Sequence, residues 1–196
     1  MKVLAYFNLT AFLLFSLSNP SFSGNFEDGI AAVEAGDFEK AHGLWVIEAN
    51  KGNVKAQFNL GLMYDSGMGV PQDYKQAVDW YRQAAEQGHA NSQYNLGVMY
   101  DNGIGVLKDY SEAVDWYLKA AKQGHAKAQN NLGNMLYDGR GVKQSYEVAY
   151  AWYVLAVANG NEMAKKNLET LKNQLTSAQI ERGQKVLKEI LGRMGS

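Results

Sequence analysis

A segment of 36 residues recurs along the chain, and this repeat constrains the fold more than any other feature. Residues 56–64 read AQFNLGLMY, residues 92–100 read SQYNLGVMY, and a third copy spans 128–136. The later part of the unit repeats at the same distance, since DYKQAVDWY at 73–81 returns as DYSEAVDWY at 109–117. A unit of this length is one supersecondary element that must stack on its neighbours to bury its apolar face.

Apolar residues step by three and four positions in both halves of each unit, which predicts two helices per repeat. Four glycines lie one period apart, each just after a predicted helix, and we expect them to end helices in the left-handed conformation: Gly52, Gly88, Gly124 and Gly160. Other glycines lie inside the first helix, where glycine costs about 1 kcal/mol relative to alanine, so a close helix crossing is expected there: Gly61, Gly97 and Gly133. Between the helices, paired glycines permit a sharp turn and the valine after them is expected to pack inward: Gly67, Gly69 and Val70, Gly103, Gly105 and Val106, Gly139, Gly141 and Val142.

These residues resemble the Sel1-like repeat family, a relative of the tetratricopeptide repeats with a longer glycine-containing loop. The Leu-Gly pair, the Gly-x-Gly-Val loop, the Asp-Tyr start and the Trp-Tyr pair carry the resemblance across residues 53–160. It implies an all-α fold, a right-handed α-solenoid of helix pairs, with repeats at 53–88, 89–124 and 125–160. The third copy departs from the pattern at Leu136 and Tyr137, and it has Ser145 in place of aspartate.

The regions that flank the repeats predict further helices. Residues 24–52 resemble a degenerate tetratricopeptide helix pair without the inserted loop, centred on Asp37. Residues 161–196 predict a C-terminal pair of capping helices, with Thr176 and Gln179 placed for a capping box between them. Their apolar stripes are Leu168, Leu171 and Leu175, then Ile180, Leu187, Ile190 and Leu191, while Lys165, Lys166, Glu169 and Lys172 are expected to face water.

The first 23 residues have the pattern of a signal peptide. Lys2 precedes an apolar run over residues 3–17, Pro20 follows it, and Ser21 and Ser23 are the small residues before a cleavage site ahead of Gly24. We therefore expect export to a bacterial periplasm or to the cell exterior, with membrane contact only during export. An uncleaved anchor is the alternative, but the run is shorter than the roughly 20 residues that span a bilayer. The chain has no cysteine for a lipid anchor or a disulfide.

The sequence offers no recognisable catalytic chemistry and predicts no catalytic residue, metal site or cofactor. Nineteen basic against twenty acidic residues leave a formal charge of −1, which argues against nucleic acid as a partner. His89 and His125 lie a full repeat apart, so a metal site would require the fold to bring the two imidazoles together across that distance. Asp65 and Asp101, like Asp79 and Asp115, repeat in equivalent places, whereas a catalytic carboxylate pair needs two unlike environments.

The family resemblance favours a non-enzymatic scaffold or adaptor that binds a protein or peptide partner as a monomer. The alternative is an enzyme or ligand binder acting on cell-wall material, related to β-lactams or peptidoglycan, because cysteine-rich members of the family are linked to β-lactam binding. Trp80, Trp116 and Trp152 share a helix face with alanines and are predicted to lie in the core.

A candidate binding site lies on the first helices, which line the concave surface in tetratricopeptide-like stacks. Its residues recur in register: Phe58, Asn59, Tyr94, Asn95, Asn130 and Asn131. An asparagine amide both donates and accepts, which suits an extended peptide backbone. The competing interpretation is that these asparagines hydrogen-bond to a neighbouring helix.

Overall fold

The structure, a computed structural model, describes residues 24–194, and this part of the chain contains ten helices and no strand. The helices are α1 (Asn25–Glu34), α2 (Phe38–Asn50), α3 (Val54–Ser66), α4 (Tyr74–Glu86), α5 (Ala90–Asn102), α6 (Tyr110–Lys122), α7 (Ala126–Asp138), α8 (Tyr146–Ala158), α9 (Glu162–Lys172) and α10 (Ser177–Met194). Helices α1–α8 form four pairs, and each pair packs on the next. The predicted right-handed α-solenoid is confirmed.

Polar side chains at equivalent positions begin the helices of each repeat. Asn53, His89, His125 and Asn161 cap the first helices, and Asp73, Asp109 and Ser145 cap the second helices. Asp73 Oδ1, for example, accepts hydrogen bonds from the backbone N–H groups of Lys75 at 2.9 Å and Gln76 at 3.1 Å. Such a cap contributes about 1 kcal/mol, because it satisfies backbone donors that have no partner within the helix.

The predicted left-handed glycines follow the second helices, with φ near 90° at Gly52 (90°) and Gly88 (91°) and similar values at their two equivalents. Inside the interhelical loop, Gly105 lies directly against the backbone carbonyl of Tyr74, the first residue of the preceding second helix. A side chain there would collide with that carbonyl, and Gly69 and Gly141 make the same approach to Phe38 and Tyr110. The loop valines pack against the core but remain only partly buried.

The expected close helix crossing is present in all three repeats. A Cβ atom on Gly97 would lie 2.6 Å from Cδ1 of Tyr117, inside the volume of its ring, and Gly61 and Gly133 have the same relation to Tyr81 and Tyr153. The glycine therefore lets the tyrosine of the second helix lie flat against the backbone of the first, and its helix-propensity cost is offset by that contact.

The tyrosine of each Trp-Tyr pair is buried more completely than the tryptophan. Tyr81 and Tyr117 are fully buried, whereas Trp116 is 8% exposed and Trp80 is only partly buried. Trp80 is therefore less buried than predicted: its side chain packs against the core cluster that includes Leu60 and Met63 but stays partly exposed. Trp116 and Trp152 are buried as predicted.

The two C-terminal helices cover α8 without repeating the earlier geometry. Helix α10 packs mainly on α8, where Gly183 lies against the ring of Tyr150. The predicted capping box is present, because Gln179 Oε1 accepts from the Thr176 backbone N–H at 3.0 Å. Leu171 is buried, but Leu191, predicted in the apolar stripe, is 49% exposed, while the adjacent Ile190 packs against the core.

Candidate partner-binding site

The six predicted site residues occupy equivalent positions on α3, α5 and α7, but the structure does not expose them equally. Phe58, Tyr94, Asn95 and Asn131 are half-buried. Asn59 and Asn130 are only 7% and 6% exposed, so they offer little surface to a partner. We call the accessible side chains of α3, α5, α7 and α9 the first-helix surface.

The half-buried asparagines also connect neighbouring repeats. Asn95 on α5 hydrogen-bonds with the hydroxyl of Tyr81 on α4, and Asn131 on α7 does the same with Tyr117 on α6. Burial raises the pKa of both tyrosines well above the usual value, and the asparagine contacts partly oppose that rise. A tyrosine hydroxyl occupies one of an asparagine's hydrogen-bonding sites, so these amides combine an inter-helix contact with remaining capacity for a ligand.

The predicted aromatic residues pack against the histidine that caps the next repeat. The ring of Phe58 lies 4.6 Å from His89 between centroids, and Tyr94 stacks on His125 at the same distance. His89 Nδ1 in turn accepts from the Ser92 backbone N–H at 3.4 Å. The two histidines are therefore helix caps held under aromatic rings.

Burial lowers the pKa of His89 to about 4, and the charges of His125 and Lys55 act in the same direction. The pKa of His125 is also lowered, chiefly by burial. Both imidazoles are therefore neutral at pH 7, as an accepting cap requires, because a protonated ring nitrogen cannot accept a hydrogen bond.

Acidification is expected to destabilise the protein through His89. Between pH 6.5 and 4 the unfolded chain binds a proton at this residue while the folded chain does not, so stability falls as the pH falls through that window. Allowing for partial exposure, the loss is about 2 kcal/mol. Thermal unfolding at a series of pH values measures it.

The variant His89→Asn is the matched control, because asparagine caps the equivalent helices at Asn53 and Asn161. It keeps an accepting cap but cannot titrate, so its melting temperature should fall less between pH 6.5 and 4. Equal acid sensitivity in both proteins would show that His89 does not carry the effect.

A row of buried glutamines, which the sequence analysis did not single out, joins the repeats more uniformly than the asparagines. Gln93 Nε2 donates to the carbonyl of Ala85 at the end of the preceding α4 at 3.0 Å, and Gln93 Oε1 accepts from Gln123 at 2.8 Å. Gln57 and Gln129 make the equivalent bonds. The sequence does carry a signal for this row, because a glutamine recurs every 36 residues within an otherwise apolar helix face.

The third repeat has a different polar arrangement on the same surface. In the first two repeats, the buried tyrosine donates to an aspartate, as Tyr81 does to Asp65 at 3.3 Å. In the third, Tyr153 donates to Asn134 Oδ1 at 2.8 Å, and Asn167 of α9 donates to Asn134 Oδ1 at 3.2 Å and to Asn130 Oδ1 at 2.8 Å. Asn167 lies one period after Asn131, so the 36-residue register could have identified it.

A pocket of about 260 Å³ opens at this arrangement, between α7, its following loop, α8 and α9. We call it the third-repeat pocket, and its lining includes Asn134, Tyr137, Arg140, Tyr153, Asn167 and Thr170. Arg140 forms ion pairs with Asp101 at 3.0 Å and Asp138 at 3.2 Å. The single guanidinium charge is therefore offset by two carboxylates, which leaves no excess positive charge.

The repeated aspartates do not form a catalytic carboxylate pair. Asp79 and Asp115 are exposed on second helices, while Asp65 and Asp101 face tyrosine hydroxyls. In residues 24–194, no group of three histidine or acidic side chains is placed to hold a metal ion. No helix in the same range is long and apolar enough to cross a membrane.

The repeats match the family model for the Sel1 repeat at residues 54–89, 90–125 and 126–161. These three matches cover more than half of the chain. The chain belongs to the Sel1 repeat family. Proteins with this repeat commonly act as protein-interaction scaffolds.

Solved structures of Sel1-type proteins are similar to this chain. A Sel1 repeat protein from Oxalobacter formigenes is 38% identical, with a TM-score of 0.69 over 73% of this chain and 59% of the other. A protective antigen of uropathogenic Escherichia coli is 28% identical, with a TM-score of 0.60 over 86% and 45% of the two chains. This Sel1 repeat chain therefore spans less than two thirds of either structure.

Cysteine-rich protein B of Helicobacter pylori is a more distant structural neighbour. It is 22% identical, with a TM-score of 0.52 over 74% of this chain and 98% of the other. At that identity the likeness concerns the fold alone. A search of the curated proteins finds no match.

Proposed function

We propose that this Sel1 repeat protein is an exported, non-enzymatic scaffold that binds a protein or peptide partner along its first-helix surface. The observation that carries the proposal is the register of half-buried aromatic and amide side chains on that surface, with Phe58 and Tyr94 at one repeated position and Asn95 and Asn131 at the next. Aromatic rings supply buried area in an interface, and amides pair with a peptide backbone. Asn59 and Asn130 shape the surface from below.

The export part of the proposal rests on residues 1–23, which lie outside the described residues. Their short apolar run and small residues before Gly24 are typical of a cleaved signal peptide. The similar Escherichia coli protein is a protective antigen, which fits a protein that leaves the cytoplasm. The mature protein would begin at Gly24 and work as a monomer in the periplasm or outside the cell.

Site-specific photo-crosslinking in the producing cell tests the proposal. A photoreactive residue at Asn91, exposed on α5, is expected to crosslink to a partner peptide that mass spectrometry can identify. The same residue at Asp115, exposed on the second helix α6, is the control and should not. The crosslinked chain should be recovered from the exported fraction and begin at Gly24.

The variant Tyr94→Asn links the crosslink to the proposed surface. The third repeat carries Asn130 at the same position, so the helix tolerates asparagine there, while the aromatic area is lost. Losing one aromatic contact at an interface costs about 1–4 kcal/mol, which would weaken crosslinking at least fivefold. Equal crosslinking from Asn91 and Asp115, or no effect of Tyr94→Asn, would overturn the assignment of the surface.

A further inference from the structure

The third-repeat pocket interrupts the repeating surface at a specific place. The second repeat has Val98, Asp101 and Ile104 where the third has Asn134, Tyr137 and Arg140. Two of these exchanges replace apolar side chains by groups that hydrogen-bond, and all three lie together around one cavity. The second repeat stacks on its neighbours without these three polar residues. The polar cavity of the third repeat is therefore not required for stacking.

The asparagines of the pocket hold one another in fixed orientations and leave a complementary pair of groups. Asn134 Oδ1 accepts from Tyr153 and Asn167, and the Asn167 amide nitrogen donates to Asn130 and Asn134. Within residues 24–194, no group of the protein hydrogen-bonds to Asn134 Nδ2 or to Asn167 Oδ1. Asn134 and Asn167 both line the pocket, so the Asn134 amide nitrogen and the Asn167 amide oxygen remain available to a ligand there.

Charge and size narrow the class of ligand. Arg140 is paired with Asp101 and Asp138, so the pocket has no excess positive charge with which to attract an anion. Its volume of about 260 Å³ lies below the range of roughly 300–1,000 Å³ typical of pockets that enclose whole small molecules. A small neutral group that has both an N–H and a C=O therefore suits the charge and the volume of this pocket.

We propose that the third-repeat pocket binds a secondary amide of one residue in a partner's peptide segment. The amide C=O would accept from Asn134 Nδ2 and its N–H would donate to Asn167 Oδ1. The rings of Tyr137 and Tyr153 form apolar walls beside that residue. This inference rests on the proposed function and gives its surface one defined anchoring point.

Titration of the ¹⁵N-labelled full chain by nuclear magnetic resonance tests the inference, with N-acetyl-alanyl-alanine methylamide as the probe. The side-chain amide signals of Asn134 and Asn167 are expected to shift and to saturate together. Asn134→Val, which introduces the residue that the second repeat has at Val98, should weaken binding about three- to tenfold, the range for one lost hydrogen bond. Asp115→Ala, exposed on the second helix α6 and away from the first-helix surface, is the control and should bind like the parent protein.

Since Asn134→Val also removes an acceptor from Tyr153, Thr170→Val serves as a second, nearly isosteric variant at the pocket rim. It should change the shifts that the probe induces even if Asn134→Val does not fold. No saturable shift at Asn134 and Asn167 would overturn the inference. Saturable binding of the N-acetylglucosamine disaccharide, but not of the peptide probe, would also overturn it in favour of a glycan.

The outcomes separate this inference from the proposed function. If a partner crosslinks at Asn91 but its binding does not change in Asn134→Val, the scaffold function stands and the pocket assignment fails. If the probe binds the pocket but no partner crosslinks, the pocket stands and the scaffold proposal fails.

Discussion

Replacing Tyr117 with alanine is expected to lower the free energy of unfolding by about 3–5 kcal/mol, the range for deleting a large aromatic ring from a core. The ring is fully buried, lies against Gly97, and extends its hydroxyl toward Asp101 at 3.5 Å and Asn131. Its loss leaves a cavity between α5 and α6 and removes a bond to the next repeat. Chemical denaturation followed by circular dichroism measures the change.

Three control variants separate the ring, its hydroxyl and the helix crossing. Tyr117→Phe keeps the ring and should cost only about 0.5–1.5 kcal/mol. Gly97→Ala should destabilise the parent protein, because the new Cβ would lie 2.6 Å from the ring, but not the Tyr117→Ala protein, where the space is empty. Gly43→Ala in α2 meets nothing within 4 Å and should stabilise by about 0.5–1 kcal/mol. A similar cost of Gly97→Ala in both backgrounds would contradict the crossing as its cause.

Much of this interface could be predicted from the sequence, because a repeat makes each local feature appear three times. A single glycine inside a helix is ambiguous, whereas Gly61, Gly97 and Gly133 in one register required a common cause. The same reasoning located the left-handed glycines, whereas the capping box at Thr176, which occurs once, was predicted from its spacing to Gln179. Those features depend on residues close in sequence, for which spacing and backbone preference suffice.

Features that depend on contacts between repeats were harder to predict. Helical spacing places Trp80 and Tyr81 about 100° apart on one helix, so both can face the core, and spacing alone could not show that Tyr81 is the more deeply buried of the two. The register identified Asn95 and Asn131 as a ladder but could not show that tyrosine hydroxyls lie beside them. The third-repeat pocket is formed by residues that differ from those of the other repeats, such as Asn134 and Arg140, so the repeat pattern could not predict it.

A chain that ends at Gly160 is expected to lose several kcal/mol of stability and to self-associate more strongly than the full chain. Helix α8 is buried on more than one side, because α9 and α10 both pack on it. Truncation removes Leu171 from the core and exposes Tyr150, and each large apolar side chain contributes about 1.5–3 kcal/mol by burial. Thermal unfolding and sedimentation velocity measure the two effects.

A finer variant tests whether α10 acts by covering α8. Gly183→Ala places a Cβ 2.7 Å from Cδ1 of Tyr150 and should displace α10, whereas Gly192→Ala in the same helix meets nothing within 4 Å. The first should lower the melting temperature, and the second should leave it equal or slightly higher, because alanine favours the helix. The last repeat of a solenoid needs a polar outer face or a cap over its apolar face to stay soluble. A truncated chain that stayed monomeric with an unchanged melting temperature would therefore mean that α8 already ends the array, and that the last two helices serve something other than its stability.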